Sequence, residues 1–154
     1  MSPSRRAFLL SQTAEYALRA TLAIAARSSD DDPVRVTDLA ADLRIPRNYL
    51  SKILHQLTRR GILVSSRGKR GGFRLGGSPS AMRLDAVVGV FDTLEQRGQC
   101  LLGRPTCSGR NPCAAHVRWK KVSEDWLRFF QETTISDVMG REGLGHSTAG
   151  RASR

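Results

Sequence analysis

Acidic residues are scarce in this sequence. Its 154 residues include 14 Asp and Glu against 25 Lys and Arg, which gives a formal net charge of +11 at pH 7. The segment between Asp42 and Asp85 contains no acidic residue, yet it carries ten basic ones. Positive charge concentrated in this way favours an anionic partner, either an acidic polymer or an anionic surface.

Long apolar runs are also absent. No stretch approaches the roughly 20 apolar residues that a membrane-spanning helix requires, so we expect no membrane partner. Residues 4–9 resemble a twin-arginine export signal. However, Glu15 and Arg19 interrupt the apolar stretch that follows, and their spacing of one turn suits an amphipathic helix. We therefore expect a cytoplasmic protein.

Motifs typical of enzymes are missing as well. The chain has no Gly-rich phosphate loop and no paired carboxylates in a shared motif, so we expect no catalytic residues and no enzymatic activity. A length of 154 residues suits one compact core with an appended element.

The apolar periodicity predicts mainly α structure. Residues 11–27 are expected to form a first helix with one buried stripe. A short second helix is expected to begin at Thr37, whose hydroxyl would cap it. After a turn, Pro46 suits the first position of a third helix, and Gly61 is expected to end that helix. The predicted core face of the third helix contains Tyr49, Leu50, Ile53, Leu54 and Leu57.

Two short β-type runs follow, at residues 62–66 and 73–75. The loop that joins them is basic, and its glycines permit the tight reversal of a hairpin. Together these elements predict a winged helix-turn-helix DNA-binding domain with a small β-hairpin wing. A fourth helix is predicted through residues 84–94, and a long final helix from Asn111-Pro112 to about Thr134.

A helix-turn-helix places side chains near the start of its second helix in the major groove of DNA. Arg can donate to guanine and Asn can pair with adenine, whereas Ser and Lys more often hold phosphates. A basic hairpin tip can follow the backbone or enter the minor groove. The predicted partner is double-stranded DNA, and the predicted DNA-binding residues are Arg47, Asn48, Ser51, Lys52, Arg67, Lys69 and Arg70.

The predicted final helix carries a stripe of large apolar residues at nearly heptad spacing. This stripe fits either an ordinary core helix or the interface of a two-helix dimer. The stripe has more aromatic surface than the core of a single chain of this size is expected to bury. We therefore expect a homodimer that uses this element as a C-terminal dimerisation helix. The stripe consists of Trp119, Val122, Trp126, Phe129, Phe130 and Thr133.

The three cysteines lie close together, at Cys100, Cys107 and Cys113, and His116 follows the last of them. Their odd number and a cytoplasmic compartment disfavour structural disulfides. Thiolates clustered on a loop that ends at a helix N-terminus suit a metal or an iron–sulfur cluster. From the residues alone three alternatives stay open: an iron–sulfur cluster, a structural zinc held by three Cys and one His, and redox-active thiols without a metal.

Five groups of residues also carry a family resemblance over residues 10–139. They are Glu15-Tyr16-Ala17-Leu18-Arg19; Ile45-Pro46 with Tyr49-Leu50 and Ile53-Leu54; Gly61-Ile62-Leu63-Val64; Arg67-Gly68 with Gly71-Gly72-Phe73-Arg74-Leu75; and the three-cysteine loop. In these groups the chain resembles the Rrf-two family of bacterial winged-helix regulators, whose iron–sulfur members include the IscR-like and NsrR-like repressors.

The resemblance implies a homodimer, crossed through its C-terminal helices, that binds a palindromic operator and acts as a transcriptional repressor. It implies sensing of iron–sulfur status, nitric oxide or redox state through a 2Fe-2S or 4Fe-4S cluster held by Cys100, Cys107 and Cys113. The fourth ligand would be Glu15 of the partner subunit or His116. The alternative is a winged-helix regulator without a cluster, which has structural zinc or redox-active thiols instead.

Four segments are predicted along the chain. Residues 8–96 form the winged helix-turn-helix domain, and residues 97–111 form the cysteine-containing cluster loop. Residues 112–139 form the dimerisation helix and its end. Residues 140–154 are rich in Gly, Ser and Arg and form a disordered tail.

Overall fold

The computed structural model describes residues 10–27, 32–97, 100–105 and 108–139. The predicted tail and the first residues of the predicted DNA-binding domain lie outside these ranges. In chain order the elements are α1 (Gln12–Arg27), α2 (Val36–Leu43), α3 (Arg47–Arg59), β1 (Leu63–Ser66), β2 (Gly72–Leu75), α4 (Leu84–Val88), α5 (Leu94–Arg97), α6 (His116–Glu132) and α7 (Ile135–Val138).

Helix α1 packs against both α3 and α4, and small residues line its buried face. Ala14, Ala17 and Ala20 are fully buried, and Ile24 extends the same face. The buried hydroxyl of Thr21 donates to the carbonyl of Ala17 at 2.8 Å, so this polar group keeps a partner inside the core. The alanines allow neighbouring helices to approach closely, which places α1 at the centre of the core.

The predicted helix-turn-helix is present as α2 and α3. Arg44 adopts a left-handed conformation after α2, with φ of 55°, and the N–H of Ile45 then donates to the carbonyl of Ala40 at 3.1 Å. Pro46 occupies the cap position just before α3 rather than the predicted first position of the helix, which begins at Arg47. Gly61, with φ of 74°, follows the end of α3 as predicted.

Two further details of the helix-turn-helix prediction are wrong. Thr37 does not cap α2, because the helix begins one residue earlier, at Val36, and Arg35 occupies the cap position without a side-chain hydrogen bond. Tyr49 is 36% exposed rather than part of the core. Its ring packs on α1 and its hydroxyl shares a hydrogen bond with that of Thr13, so the residue covers the edge of the core instead.

Strands β1 and β2 form the predicted antiparallel hairpin, with Leu63 paired to Leu75 and Ser66 to Gly72. A bridge between Val34 and Phe73 joins the residues before α2 to the hairpin. Its two backbone hydrogen bonds are both 2.8 Å long. The wing is therefore fastened through β2 to the residues just before α2.

The C-terminal half differs from the prediction in two places. The expected fourth helix is divided into α4 and α5, because residues 89–93 leave the helical path and Asp92 uses its carboxylate to accept the N–H of Ser11 at 2.8 Å. Helix α6 begins at His116 rather than at Asn111-Pro112. The carbonyl of Asn111 accepts from the Arg104 guanidinium at 3.1 Å, so this residue belongs to the cysteine loop.

Helix α6 leaves much of its apolar stripe uncovered. Val122 is 56% exposed and Phe129 is 51% exposed, while Phe130 is the only buried residue of α6. The rings of Trp126 and Phe130 meet edge to face at 4.9 Å between centroids.

Within the described residues, no helix is long and apolar enough to span a membrane.

We predict that Gly76→Ala destabilises the fold while Gly77→Ala does not. A Cβ atom at Gly76 would lie 2.1 Å from the backbone carbonyl oxygen of Gly61, whereas one at Gly77 would meet no atom within 4 Å. Overpacking of this kind costs about 1–3 kcal/mol, and an open surface substitution stays within about 0.5 kcal/mol. Urea unfolding of both variants measures the difference, and equal midpoints would contradict the close approach at the hairpin base.

Candidate nucleic-acid interface and cysteine loop

One face of α3 is fixed by the core, and this decides what the other face presents. Leu50, Ile53, Leu54 and Leu57 are buried. Arg47, Asn48 and Lys52 lie on the outward side and are exposed, with Ser51 half-buried among them. The predicted recognition residues are thus presented to solvent by a helix whose orientation is set by its apolar side.

The wing lies beside this outward face, and the two surround an open groove of about 860 Å³. Four of the predicted DNA-binding residues line it: Arg47 and Ser51 from α3, and Arg67 and Lys69 from the wing. Asn48, Lys52 and Arg70 are exposed but do not line the groove. The structure therefore brings four of the seven predicted residues, two from α3 and two from the wing, to one basic concave surface.

The groove is also lined by residues that were not among the predicted DNA-binding residues, and Arg35 and His55 are two of them. The guanidinium of Arg35 donates to the carbonyl oxygen of Lys69, which ties the wing tip to the start of α2. The ring of His55 meets that of Phe73 edge to face, with 5.8 Å between centroids. His55 stands one helical turn after Ser51, so its spacing could have indicated it. The position of Arg35 depends on a contact distant in sequence, which no local pattern shows.

The cysteine loop brings two of the three predicted ligands together. The Sγ atoms of Cys100 and Cys113 lie 4.0 Å apart, and both thiols are free. Two thiolates on one tetrahedral metal, each bonded at about 2.3 Å, would lie about 3.8 Å apart. The donor set of these two residues therefore fits a shared metal centre. Cys107 lies outside the described residues.

Residues 101–104 fold around the sulfur of Cys100. Hydrogen bonds from the backbone N–H groups of Arg104 and Leu102 lower the pKa of the Cys100 thiol, and the charge of Arg104 lowers it further, against the opposing effect of burial. Gly103 makes this turn possible because its φ is 72° and its N–H donates to the Cys100 carbonyl at 2.9 Å. The loop thus stabilises the thiolate, the form of Cys that binds metals.

The two candidates for a fourth ligand have different surroundings. Glu15 lies on α1, with an oxygen 3.8 Å from the Arg19 guanidinium. His116 is half-buried at the start of α6, and its backbone N–H donates to the carbonyl of Cys113 at 2.9 Å. Among the residues that the structure describes, no group of three His, Cys, Asp or Glu side chains could hold a metal ion.

A helix-turn-helix whose second helix shares a basic groove with a hairpin defines a winged-helix DNA-binding protein. Comparison with known proteins gives the family. The Rrf2 family model, described as iron-dependent transcriptional regulator, matches residues 10–141. The chain belongs to the Rrf2 family, which confirms the Rrf-two resemblance. It is a DNA-binding transcriptional regulator rather than an enzyme.

Individual relatives agree with this family. An HTH-type transcriptional regulator of Aquifex aeolicus is 34% identical over 136 residues, with 87% of this chain and 93% of the relative covered. The HTH-type transcriptional regulator IscR of Yersinia pseudotuberculosis is 30% identical over 135 residues, with 88% and 81% covered.

Solved structures show the same fold. CymR, the global cysteine regulator of B. subtilis, has a TM-score of 0.69 at 19% identity, with 84% of this chain and 95% of that chain covered. IscR of T. potens has a TM-score of 0.64 at 18% identity, with 84% and 85% covered.

We predict that Arg47→Ala and Lys69→Ala weaken DNA binding in different ways. A side chain that reads a base edge should contribute about 1–3 kcal/mol of discrimination, so loss of Arg47 should relax sequence choice. Loss of a phosphate contact at Lys69 should weaken binding to all duplexes and lower the salt slope by about 1. Fluorescence anisotropy with a selected and a shuffled duplex over a salt series measures both, and identical behaviour of the variants would refute the division of roles.

Proposed function

We propose that this regulator is a homodimeric repressor that senses iron–sulfur status, nitric oxide or redox state through an iron–sulfur cluster bound by Cys100, Cys107 and Cys113. The observation that carries the proposal is the 4.0 Å separation of the Cys100 and Cys113 sulfurs, together with the loop amides directed at Cys100. Cys107 enters as the third ligand from its place in the same loop.

The fourth ligand is proposed to be Glu15 of the partner subunit, with His116 as the alternative. An oxygen ligand from α1 of the other subunit would tie the cluster to the dimer geometry. Against it stands the contact of Glu15 with Arg19. In favour of His116 is the hydrogen bond from its backbone N–H to the Cys113 carbonyl, which keeps the two residues on one turn.

The dimer is proposed to form through the uncovered stripe of α6. Half-exposed side chains as large as Val122 and Phe129 leave apolar surface in water, and pairing with a second α6 would bury it. A two-fold dimer presents two α3 helices, so the operator should contain two inverted half-sites and be palindromic. Residues 112–139 thus constitute the proposed dimerisation element.

When bound, the cluster would supply a redox-active centre. The residues of the chain would couple the state of that centre to DNA binding. While their sulfurs are held together, Cys100 fixes residues 101–104 and Cys113 fixes the start of α6. Release of the thiolates would free residues 97–111, the proposed cluster loop, and change the placement of the α3 helices and the affinity for the operator.

Two alternatives use the same cysteines. A structural zinc fits the same sulfur separation, with His116 as its fourth ligand. Redox-active thiols without a metal are the other, because two free sulfurs this close need only a short movement to reach the S–S length of about 2.05 Å.

We predict that protein purified without oxygen is brown and contains iron and acid-labile sulfide in equal amounts. Two irons per chain would indicate a 2Fe-2S cluster, and four would indicate a 4Fe-4S cluster. Serine variants of Cys100, Cys107 and Cys113 should each lose the iron, because each removes a thiolate ligand. Stoichiometric zinc without iron would overturn the cluster assignment in favour of a structural site, and protein without either metal would leave thiol chemistry.

The same measurement decides the fourth ligand. Glu15→Ala should perturb the visible spectrum if the partner's Glu15 binds the cluster, and His116→Ala should do so if His116 binds it. His55→Ala is the matched control, since this histidine is exposed on α3 beside the wing. A spectrum unchanged in both Glu15 and His116 variants would exclude both candidates.

We predict that Val122→Asp produces a monomer while Val117→Asp does not. Both valines are exposed on α6, but Val117 lies on the opposite side of the helix from the apolar stripe. A buried unpaired charge at Val122 would disfavour association, and a charge at Val117 would stay in water. Sedimentation equilibrium measures the mass, and dimers in both variants would exclude this face of α6 as the interface.

A further inference from the structure

The first turn of α1 is held by a residue distant in sequence. The backbone N–H of Ser11, just before α1, donates to the Asp92 carboxylate at 2.8 Å, and the Ser11 hydroxyl accepts the N–H of Ala14 at 3.1 Å. Asp92 lies in residues 89–93, which connect α4 to α5. The segment that leads towards the cysteine loop therefore fixes where α1 begins.

The same turn of α1 contacts α3, the helix proposed to read DNA. The hydroxyls of Thr13 and Tyr49 share a hydrogen bond. The ring of Tyr16 meets that of Tyr49 edge to face, with 5.9 Å between centroids. The Gln12 side chain in turn donates to the Tyr16 hydroxyl at 2.9 Å, which holds this ring in place. Tyr49 is thus restrained by α1 through both its hydroxyl and its ring.

Tyr49 is well placed to transmit this restraint. It stands in the first turn of α3, directly after Asn48 and two residues before Ser51. Residues of one helical turn move together, because their backbone hydrogen bonds fix their relative positions. A restraint on Tyr49 is therefore a restraint on the side chains that face the groove.

We propose that Asp92 is a positioning residue for DNA recognition: it fixes the first turn of α1, and Thr13 and Tyr16 carry that placement to Tyr49 on α3. No residue of this chain of contacts needs to touch DNA for it to act. Asp92 lies two residues before α5, and the cysteine loop follows that helix. The positioning role rests on the proposed sensing function only for the signal that would reach Asp92 from the loop. A change in the loop thereby reaches α3 within the same subunit.

The test is a double-mutant cycle of Asp92→Ala and Thr13→Val, with DNA affinity as the readout. The probes are a duplex selected from a random pool by the wild-type protein and a shuffled duplex of the same composition. Each single variant should bind the selected duplex about tenfold more weakly, and the double variant should bind no more weakly than either, as expected for residues of one pathway. Affinity for the shuffled duplex should not change.

Two further variants separate positioning from general stability. Asp92→Asn keeps an acceptor oxygen and should restore affinity for the selected duplex. Asp137→Ala is the matched control, because Asp137 accepts the N–H of Thr134 at 2.8 Å at the start of α7, in the same way that Asp92 accepts that of Ser11. Asp137 lies on α7, outside the apolar stripe of α6 that is proposed to form the dimer contact. It should leave the affinity unchanged. An equal loss in Asp137→Ala, multiplicative losses in the double variant, or unchanged affinity in Asp92→Ala would each overturn the proposal.

Iron content measured on every variant keeps this proposal apart from the cluster proposal. We expect the same content in all of them, so that a weaker affinity does not arise from loss of iron. A wild-type protein without iron would refute the cluster while the cycle still reports on Asp92. Loss of iron in Asp92→Ala that fully accounts for its weaker affinity would refute the positioning role.

Discussion

The close packing of α1 against α3 and α4 is the constraint on which the rest of the structure depends. Ala14, Ala17 and Ala20 have no side chain beyond Cβ, so the neighbouring helices approach the backbone of α1 and exclude water from the contact. A larger side chain at any of these positions would displace α3 or strain the core. The orientation of α3, the proposed recognition helix, is thus determined by residues buried in the core.

The burial of apolar side chains in this packing also offsets the repulsion between the clustered positive charges. Cations concentrated on one surface repel one another and reduce the stability of the compact state. Here they stand at the outward side of α3 and on the wing, in water of high dielectric constant, while the apolar side of α3 supplies the compensating burial. An anionic partner would reduce the repulsion that remains, and the groove between α3 and the wing is the proposed binding place for such a partner.

The sequence predicted the DNA-binding half well, for local reasons. The apolar period of α3, the position of Pro46 and the glycines of the wing act within a few residues, so their consequences can be read from the chain. Tyr49 shows where this stops: its spacing fits the core face, yet its environment is decided by Thr13 and Tyr16 on another helix. The division between α4 and α5 was missed for the same reason, because Asp92 finds its partner at the start of α1.

The cysteine loop combines both kinds of information. The spacing of the cysteines and the turn formed by Gly103 are local, and they indicated which residues carry the chemistry. The start of α6 was not predictable in this way. The carbonyl of Asn111 accepts a hydrogen bond from Arg104 within the loop, and the helix begins only at His116. As a result Cys113 lies in the turn that begins α6, and its sulfur faces that of Cys100 across the loop. The cysteine pair thereby joins residues 100–104 of the loop to the start of α6, the helix that carries the uncovered apolar stripe.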